Sequence, residues 1–450
     1  MEDRKLKVII IGGSIAGLTL AHCLDLAEID YLVLEKHHDI LATVGGSIGL
    51  LPNGSRILDQ LGIFSLVENV ACPVEVAHMT FGYPPSILTR QQLLQVLYSS
   101  LRDQARVRTG QDVTRLEPCP DGVLVSTEAG VEYRGDVVVG ADGIHSVTRS
   151  QMWRIADNLR PGLVSQQEKQ TLRAEYSCII GISSPVEGIR PGEQLIACHD
   201  NACVFVFPGK DNQIGWALIR KLDREYVYPN PIRFSADEVS TMGQAAAQLT
   251  LRGPVTFRDL WENTPKYSST MLEEGHLRTW NYGRIVCVGD SVSKASQVPS
   301  SVLGVSDMTP NMAQGANTAI EGAAALANAL RKLSYTPHTV EHAFDTLFRG
   351  YAERQQERLR FVHAVSRSVT RVHTRRGWVK RLLGRYVYPY TPGAAVHTFG
   401  RIIAEATHLD YVPLPERGKG WDRGSDKSSL SRLVWVIPVV VAAYIAFHFA

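Results

Sequence analysis

Short apolar runs rich in β-branched residues recur along the chain, and each is followed closely by glycine or an acidic residue. They occupy residues 7–11, 31–34, 136–139 and 284–288. Such composition predicts strands buried on both faces of a parallel sheet. Stretches with helical periodicity lie between them, at residues 18–27, 52–61, 87–97 and 314–333. Alternating strands and helices predict an α/β fold with a Rossmann-like domain.

The pattern of apolar segments and turns changes between residues 172 and 281. Short β-like segments at 195–197, 202–207 and 214–219 are separated by Asp-Asn and Gly-Lys-Asp-Asn turns. This pattern predicts an antiparallel sheet inserted into the first domain as a second domain. Beyond Thr339, apolar residues recur at helical spacing as far as Val372. They predict a long amphipathic helix that packs on the first domain.

The first glycine segment follows the first predicted strand and opens the first helix. It contains Gly12, Gly13, Ser14 and Gly17, and Glu35 ends the second strand. This is the βαβ pattern that binds a dinucleotide: the pyrophosphate meets the helix N-terminus and the acid accepts the ribose hydroxyls. Ser14 stands at the middle glycine position of this pattern, and its side chain leaves less room for the pyrophosphate to approach the backbone. The alternative is a glycine turn without a nucleotide.

Two later segments extend this prediction. Asp142 follows a strand in a Gly-Ala-Asp-Gly turn, where it either caps the next helix or fixes the loop against the middle of a cofactor. Asp290 follows the strand at 284–288 and is placed to bind a ribityl hydroxyl, or is a loop aspartate without function. Gly315 and Ala316 open a helix whose N-terminus would support negative charge on a flavin. The three segments together predict a site for FAD.

Length, charge and cysteine usage restrict the alternatives. A chain of 450 residues exceeds one usual core, so at least two packed units are expected. Its 44% apolar and 20% charged residues are typical of a globular protein, and a net charge of +2 argues against a nucleic-acid partner. Seven cysteines without a Cys-x-x-Cys pair indicate buried thiols in a reducing compartment, rather than disulfides or a zinc site.

The C-terminal residues 433–450 contain no aspartate, glutamate, lysine or arginine. Eighteen helical residues span about 27 Å, which is enough to cross a hydrocarbon layer. Positive charges precede this run and would hold their side in the cytosol. We therefore predict a single transmembrane helix, with the catalytic domain on the cytosolic side of the endoplasmic reticulum. A buried core helix or a loose tail is the alternative.

The segments, their order and their spacing resemble the aromatic-hydroxylase class of FAD-dependent monooxygenases, and within it the fungal epoxidases of prenylated meroterpenoid and paxilline-type products. The phrases that carry the resemblance are Gly46-Ser47-Ile48-Gly49, Leu51-Pro52-Asn53-Gly54, Arg56-Ile57-Leu58-Asp59-Gln60-Leu61-Gly62, Thr309-Pro310-Asn311-Met312, Gln314-Gly315-Ala316-Asn317, Leu409-Asp410-Tyr411 and Pro413-Leu414-Pro415.

The resemblance implies FAD contacts at Glu35, Gly49, Arg90, Asp290 and Ala316; from the sequence pattern alone, Arg90 would be a solvated surface charge. It also implies that NAD(P)H reduces the flavin as a transient co-substrate, and that one atom of O2 passes to an alkene of a small lipophilic substrate.

The resulting domain division is discontinuous. Cofactor-binding parts are predicted at residues 1–75, 99–171 and 282–338, and a segment shared between the domains at 76–98. The substrate domain is predicted at 172–281, the C-terminal helical region at 339–430 and the transmembrane helix at 433–450.

The chain departs from the resembled pattern near the third segment. Ser293 stands where a histidine is usual, and residues 295–307 form an insert beside the flavin. The segment after Val76 is also shorter than expected. We hypothesise an imperfect gene model, which sequencing of the transcript would test. His199 is the nearest counterpart of a tyrosine in the β-sheet domain of the family, and either donates a hydrogen bond to the substrate or is a surface histidine at a turn.

Three functions remain open at this stage. The first is an epoxidase of a prenyl olefin, the second a hydroxylase of an aromatic ring with the same cofactor segments, and the third an inactive FAD-binding membrane protein. No metal ligand set is predicted.

Overall fold

The structure is a computed structural model of the chain. It describes residues 6–41, 46–74, 81–210, 213–227, 234–275, 277–293, 313–334, 341–387, 392–418 and 421. The predicted insert at 295–307 lies outside these residues.

Strands and helices alternate in the first part of the chain and again after residue 280. The strands are β1 (Lys7–Ile11), β2 (Asp30–Leu34), β3 (Ser47–Leu50), β4 (Cys72–Pro73), β5 (Ser86–Thr89), β6 (Val107–Arg108), β7 (Val113–Cys119), β8 (Gly122–Thr127), β9 (Glu132–Gly135), β10 (Val137–Gly140), β11 (Arg173–Ser183), β12 (Leu195–His199), β13 (Ala202–Pro208), β14 (Ile214–Val227), β15 (Thr250–Arg252), β16 (Val255–Thr256), β17 (Lys266–Glu274), β18 (Asn281–Tyr282) and β19 (Ile285–Cys287).

The helices include one of 33 residues near the C-terminal end. They are α1 (Ile15–Leu26), α2 (Pro52–Gln60), α3 (Phe64–Val70), α4 (Arg90–Ser99), α5 (Val147–Leu159), α6 (Gln166–Lys169), α7 (Ala236–Ala246), α8 (Phe257–Glu262), α9 (Asp290–Ser293), α10 (Gln314–Ser334), α11 (Glu341–His373), α12 (Gly377–Leu382) and α13 (Pro392–Ala404).

A six-stranded sheet in the order β18-β19-β10-β1-β2-β6 forms the first layer. All its strands are parallel except β18. β1 lies near the middle of the sheet, and its apolar residues are completely covered because helices flank the sheet. The carboxyl ends of the five parallel strands therefore meet at one edge, with the crossover point beside β1. That edge is where ligands bind in open α/β sheets.

The sequence predicted most of these elements. The strand at 7–11 is confirmed to the residue, and the helices predicted at 52–61 and 314–333 are confirmed within one residue. The prediction of helix over 87–97 is wrong at its start, because Ser86–Thr89 pairs with β3 as a strand. Thr89 then caps α4, and its hydroxyl and the Gln92 side chain form a reciprocal capping box.

A five-stranded antiparallel sheet in the order β12-β13-β14-β11-β17 forms the second layer, from residues 173–274. One face packs on α7 and α8 around Trp216, Phe257 and Leu260. The opposite face carries Tyr176 and Phe205. The predicted antiparallel sheet is confirmed, and both of its faces carry apolar residues.

The predicted fold class is wrong in one part, the transmembrane tail. No helix in the described ranges is both long and apolar enough to cross a membrane. The longest, α11, carries charged residues throughout its length, and a charge inside hydrocarbon costs several kcal/mol, about 3 by insertion scales. Residues 433–450 lie outside the described residues. The predictions of a single-pass topology, of a membrane partner and of a location in the endoplasmic reticulum all depended on that tail and are wrong for the same reason.

Candidate cofactor site

The turn from β1 into α1 is shaped by two glycines. Gly12 has φ +106°, and a Cβ there would lie 2.5 Å from the carbonyl oxygen of Ala141. A Cβ on Gly17 would lie 2.0 Å from the carbonyl oxygen of Gly12. Only glycine at both positions lets β1, β10 and α1 approach this closely. The first turn of α1 is consequently held open toward the edge of the sheet.

Glu35 lies directly after β2, next to that turn, and is 9% exposed. Its Oε2 accepts a hydrogen bond from the Gly13 N–H at 2.7 Å, and its Oε1 accepts one from the His37 N–H at 2.9 Å. Each carboxylate oxygen has a second lone pair. Glu35 can therefore accept hydroxyl donors from a ligand while it fixes the glycine turn.

Arg90 is the first residue of α4, and it reaches the same place from another part of the chain. Its Nη2 donates to the Ser14 Oγ at 2.8 Å. Burial lowers the pKa of the Arg90 guanidinium, while the carboxylates of Asp290 and Glu35 raise it. The arginine thus brings a positive charge to the N-terminal end of α1, where the helix dipole also favours an anion.

Asp142 organises the second segment. Its Oδ1 accepts from the Ser146 hydroxyl at 2.6 Å, and its Oδ2 accepts from the N–H of Thr148 at 2.9 Å and from the Thr148 hydroxyl at 3.0 Å. The Ser146 hydroxyl in turn caps α5 by accepting from the Arg149 N–H. The capping function weighed for Asp142 is therefore present, and its carboxylate still borders the cavity described below.

Arg149 and Ser291 join the second segment to the third. Buried Arg149 donates from Nη1 to the Ser291 carbonyl at 2.5 Å and from Nη2 to the Ile144 carbonyl at 2.7 Å. The Ser291 hydroxyl bonds back to the carbonyls of Gly140 and Val288 at 2.8 and 2.7 Å. The ends of β10 and β19 are locked together in this way.

The N-terminus of α10 completes the site from the other side. Asn317 donates to the Gly49 carbonyl at 2.9 Å and accepts from the Leu51 N–H at 3.0 Å. A Cβ on Gly49 would lie 2.5 Å from the Cβ of Ala313, so glycine is needed there for β3 to meet α10. This arrangement aims the first turn of a 21-residue helix at the cavity.

A cavity of about 530 Å³ lies where these parts meet. The predicted site residues that line it are Gly12, Gly13, Ser14, Glu35, Arg90, Asp142, Asp290, Gly315 and Ala316. Gly17 and Gly49 stand behind the wall and shape it through the close approaches described above. Segments nearly three hundred residues apart in sequence therefore share one cavity.

Some lining residues were not singled out from the sequence. They are Lys36, His37, Gln111 and Asp112. Gln111 follows the edge strand β6, and Tyr133 donates to its Oε1 at 2.9 Å. The two-residue strand is too short for a periodicity signal, so only its pairing with β2 brings Gln111 to the site.

His199 lies elsewhere. It ends β12 at the sheet edge, and its Nε2 is 3.0 Å from the Thr250 carbonyl oxygen. Desolvation lowers the pKa of His199. His199 pairs with Ala202, which in turn pairs with Arg220 of β14. Arg220 lies five residues along β14 from Gly215, the point at which this sheet meets Ser47 of β3. Five residues of strand span about 17 Å, so His199 stays a prediction without a contact to support it.

The cavity fits a dinucleotide such as FAD. Its volume falls within the range of about 300–1,000 Å³ usual for ligand pockets. Arg90 and the N-terminus of α1 provide positive potential for a pyrophosphate. The carboxylates of Glu35 and Asp290 provide acceptors for sugar hydroxyls. A Cβ at Gly12 would push into the turn that forms the floor.

Comparison with known proteins agrees with this geometry. The model of the FAD binding domain family matches residues 5–367. The chain is similar to the FAD-dependent monooxygenase sdgC of Emericella nidulans, at 52% identity with 99% of this chain and 97% of the relative covered. It is also similar to the FAD-dependent monooxygenase atmM of Aspergillus flavus, at 41% identity with 98% and 94% covered.

Solved structures show the same fold at low identity. Klebsiella pneumoniae HpxO, complexed with FAD and uric acid, superposes with a TM-score of 0.69 at 20% identity, covering 89% of this chain and 97% of that one. The tetracycline destructase Tet(51) superposes with a TM-score of 0.61 at 14% identity, covering 91% and 98%. These two likenesses concern the fold alone.

Proposed function

The chain belongs to the family of FAD-dependent monooxygenases, and from this premise we propose that it epoxidises a prenyl double bond of a lipophilic, meroterpenoid-type intermediate in fungal secondary metabolism. Bound FAD supplies electron transfer from NAD(P)H and the activation of O2. The protein has to hold the cofactor, position the alkene and exclude water. The observation that supports the substrate class is a half-buried apolar face beside the cofactor cavity.

We assign cofactor binding to the residues that line the cavity. The pyrophosphate would be bound by Arg90 of α4 together with Ser14 and the N–H groups at the start of α1, because a guanidinium and helix N–H groups both favour phosphate oxygens. Glu35 would accept the ribose hydroxyls and Asp290 a ribityl hydroxyl. Asp142 would hold its loop against the middle of the molecule.

The first turn of α10 would face the flavin ring. Gly315 and Ala316 line the cavity there, and a Cβ on Gly315 would meet nothing within 4 Å. The N–H groups of this turn carry the positive end of a long helix dipole. They would stabilise negative charge that develops on the ring.

The apolar face belongs to the five-stranded sheet. Ile180 and Phe205 both lie in one row across the sheet through Ala217, and Phe207 lies in the next row on the same face. Ile180 and Phe207 are only partly buried. This face lies close to the cofactor cavity: a Cβ on Gly46 would lie 3.0 Å from Ile180 Cδ1. Gly46 precedes by two residues Ile48, which borders the cavity. Aromatic and branched side chains at this place would hold a prenyl chain and keep water away.

We further propose that the two tasks divide along the chain, with cofactor binding at 1–75, 99–171 and 282–338, and substrate binding at 172–281. In support, every strand of the five-stranded sheet comes from within the latter range.

The test uses the purified full chain with FAD, NADPH and ¹⁸O-labelled O2, offered prenylated phenols and the same phenols without the prenyl group. We expect one labelled oxygen in the product, placed as an epoxide on the prenyl chain, and no turnover of the unprenylated phenols. Product hydroxylated on the ring would identify an aromatic hydroxylase instead. Unlabelled product would contradict the monooxygenase reaction.

A second measurement addresses the apolar face. The variant Phe207→Ser should raise KM for a prenylated substrate about tenfold, because removing a large aromatic contact costs about 1–3 kcal/mol. Its FAD content should not change, and Leu414→Ser, at an exposed apolar position, serves as a control. Equal KM values in the variant and in the parent protein would contradict the placement of the substrate.

A further inference from the structure

Two cysteines face each other across the hairpin that joins β12 and β13. Cys198 and Cys203 are direct partners in the strand register, and four residues lie between them in sequence. Their two sulfur atoms lie within 4.8 Å of each other. A Cys-x4-Cys spacing falls within the range of about two to four intervening residues that is typical of paired zinc ligands.

A histidine from a distant part of the chain closes this group. His373 is the last residue of α11 and is 1% exposed. The helix end is fastened to the hairpin, since the Asn201 N–H donates to the Thr374 carbonyl at 2.8 Å. One donor atom from each of Cys198, Cys203 and His373 lies within 4.8 Å of the other two.

From this juxtaposition we propose that Cys198, Cys203 and His373 form a Zn²⁺ site that fastens α11 to the β12–β13 hairpin. Tetrahedral bonds of about 2.3 Å to sulfur and about 2.1 Å to nitrogen place donor atoms about 3.5–3.8 Å apart. The three groups therefore need side-chain shifts of about 1 Å at most. The fourth position falls to water, because Cys198 is only half-buried and opens the group to solvent.

The charges of the group suit this ion. Two thiolates and a neutral imidazole balance Zn²⁺, which matters at a place where a net charge would be costly. Sulfur and imidazole ligands select zinc over magnesium or calcium.

The experiment measures the metal content of the full chain, purified without a polyhistidine tag and incubated with equimolar ZnCl2 before desalting. We expect about one zinc per chain, as for a structural site. The variants Cys198→Ser, Cys203→Ser and His373→Asn should each lower it about tenfold. The matched control is Cys119→Ser, which removes a half-buried thiol in a different sheet and should keep the zinc.

Cobalt gives a second readout that separates binding from folding. Co²⁺ in place of zinc should produce sulfur-to-cobalt charge-transfer absorption, lost in the two serine variants, while FAD content shows that each variant is folded. Absence of zinc and of this absorption in the parent chain would overturn the proposal. So would zinc that persists in all three variants, or a Cys198–Cys203 disulfide that keeps metal out.

Discussion

Gly17 shows how one side chain decides whether the cofactor turn can form. A Cβ there would lie 2.0 Å from the carbonyl oxygen of Gly12, which is backbone and cannot swing away. The variant Gly17→Ala should therefore lower the free energy of unfolding by about 3 kcal/mol or more and weaken FAD binding.

Urea unfolding followed by circular dichroism measures this effect. Gly400→Ala is the matched control, because it also lies in a helix and its Cβ would meet nothing within 4 Å. It should keep or slightly raise the stability. A Gly17 variant as stable as this control would contradict the packing described for β1 and α1.

Glu35 gives a prediction on affinity. Its carboxylate fixes the Gly13 and His37 N–H groups, and we assign the ribose hydroxyls to its remaining lone pairs. Replacing it by glutamine keeps the shape but removes the charge and one acceptor. FAD should bind about tenfold more weakly, which is about 1.4 kcal/mol.

Quenching of flavin fluorescence gives the dissociation constant. The variant Glu132→Gln, which changes an exposed carboxylate on β9, should bind FAD like the parent chain. An unchanged affinity in Glu35→Gln would remove this residue from the site.

His22 gives a prediction on pH. It is buried in α1, with Nε2 2.8 Å from the Leu97 carbonyl oxygen, and desolvation lowers its pKa below the ordinary 6.5. The unfolded chain takes up a proton at this residue below about pH 6.5, whereas the folded chain resists it. The contribution of His22 to the free energy of unfolding is therefore constant above about pH 6.5, and it destabilises the folded chain as the pH falls below that value.

Unfolding in urea at pH 7.5 and at pH 5.5 tests this. The loss of stability between the two should be smaller in His22→Gln, which keeps a donor but cannot become charged. Exposed His342, changed to glutamine, should leave the loss as it is. Equal losses in both variants would show that His22 does not titrate in this way.

At the scale of elements, side-chain bridges hold the strand ends in register. Arg149 on α5 donates to the Ser291 carbonyl in the chain after β19, and to the Ile144 carbonyl just before α5. The variant Arg149→Met leaves both carbonyls without their donor and should cost about 3–6 kcal/mol, since each lost bond to a charged group costs about 1.5–3 kcal/mol.

Thermal unfolding measures the change. Arg154→Met is its control on the same helix, at an exposed position whose Nη2 donates to the Leu116 carbonyl at 3.0 Å. A melting temperature that falls equally in both variants would show that the bridge at Arg149 has no special weight.

The elements also show where sequence reasoning succeeds and where it ends. Buried strands such as β1 were predictable because an unbroken β-branched run has few other uses. β5 was not, because Ile87 and Leu88 lie directly ahead of a helix and continue its periodicity, and only pairing with β3 makes this segment a strand. The pairing of Cys198 with Cys203 could not be predicted either, because the register between β12 and β13 is known only from the structure.

At the scale of the whole molecule, FAD should act as a ligand that stabilises the fold. Its proposed contacts come from three segments that unfolding would separate, so it binds the folded chain only. At a concentration one hundred times the dissociation constant, it should add about 2.7 kcal/mol to the free energy of unfolding. Thermal unfolding with and without FAD checks this, and a melting temperature indifferent to FAD would contradict the site.

The three glycine segments were enough to predict this site, because turns, acids and helix starts leave signals at each of them. Their mutual arrangement was not predictable in detail. Arg90 depended on the family resemblance, because nothing in its own helix distinguishes it from a surface charge. Gln111 and the Arg149 bridge required the sheet order, which the sequence states only indirectly. The transmembrane prediction was wrong, since no helix in the described residues is long and apolar enough to cross a membrane, and apolarity alone does not distinguish a membrane span from a buried segment.

The close fit of Gly12 against Ala141 has a consequence for biosynthesis. The ribosome releases Gly12 long before Ala141, and Gly315 later still. At about 5–20 residues per second, about 15–60 s separate the first of these glycines from the last. For about the first 6–26 s of that interval, until Gly140 has been synthesised, the apolar surface of the nascent β1 lacks its neighbour β10. Flavin supply can influence the yield only after translation has passed the start of α10.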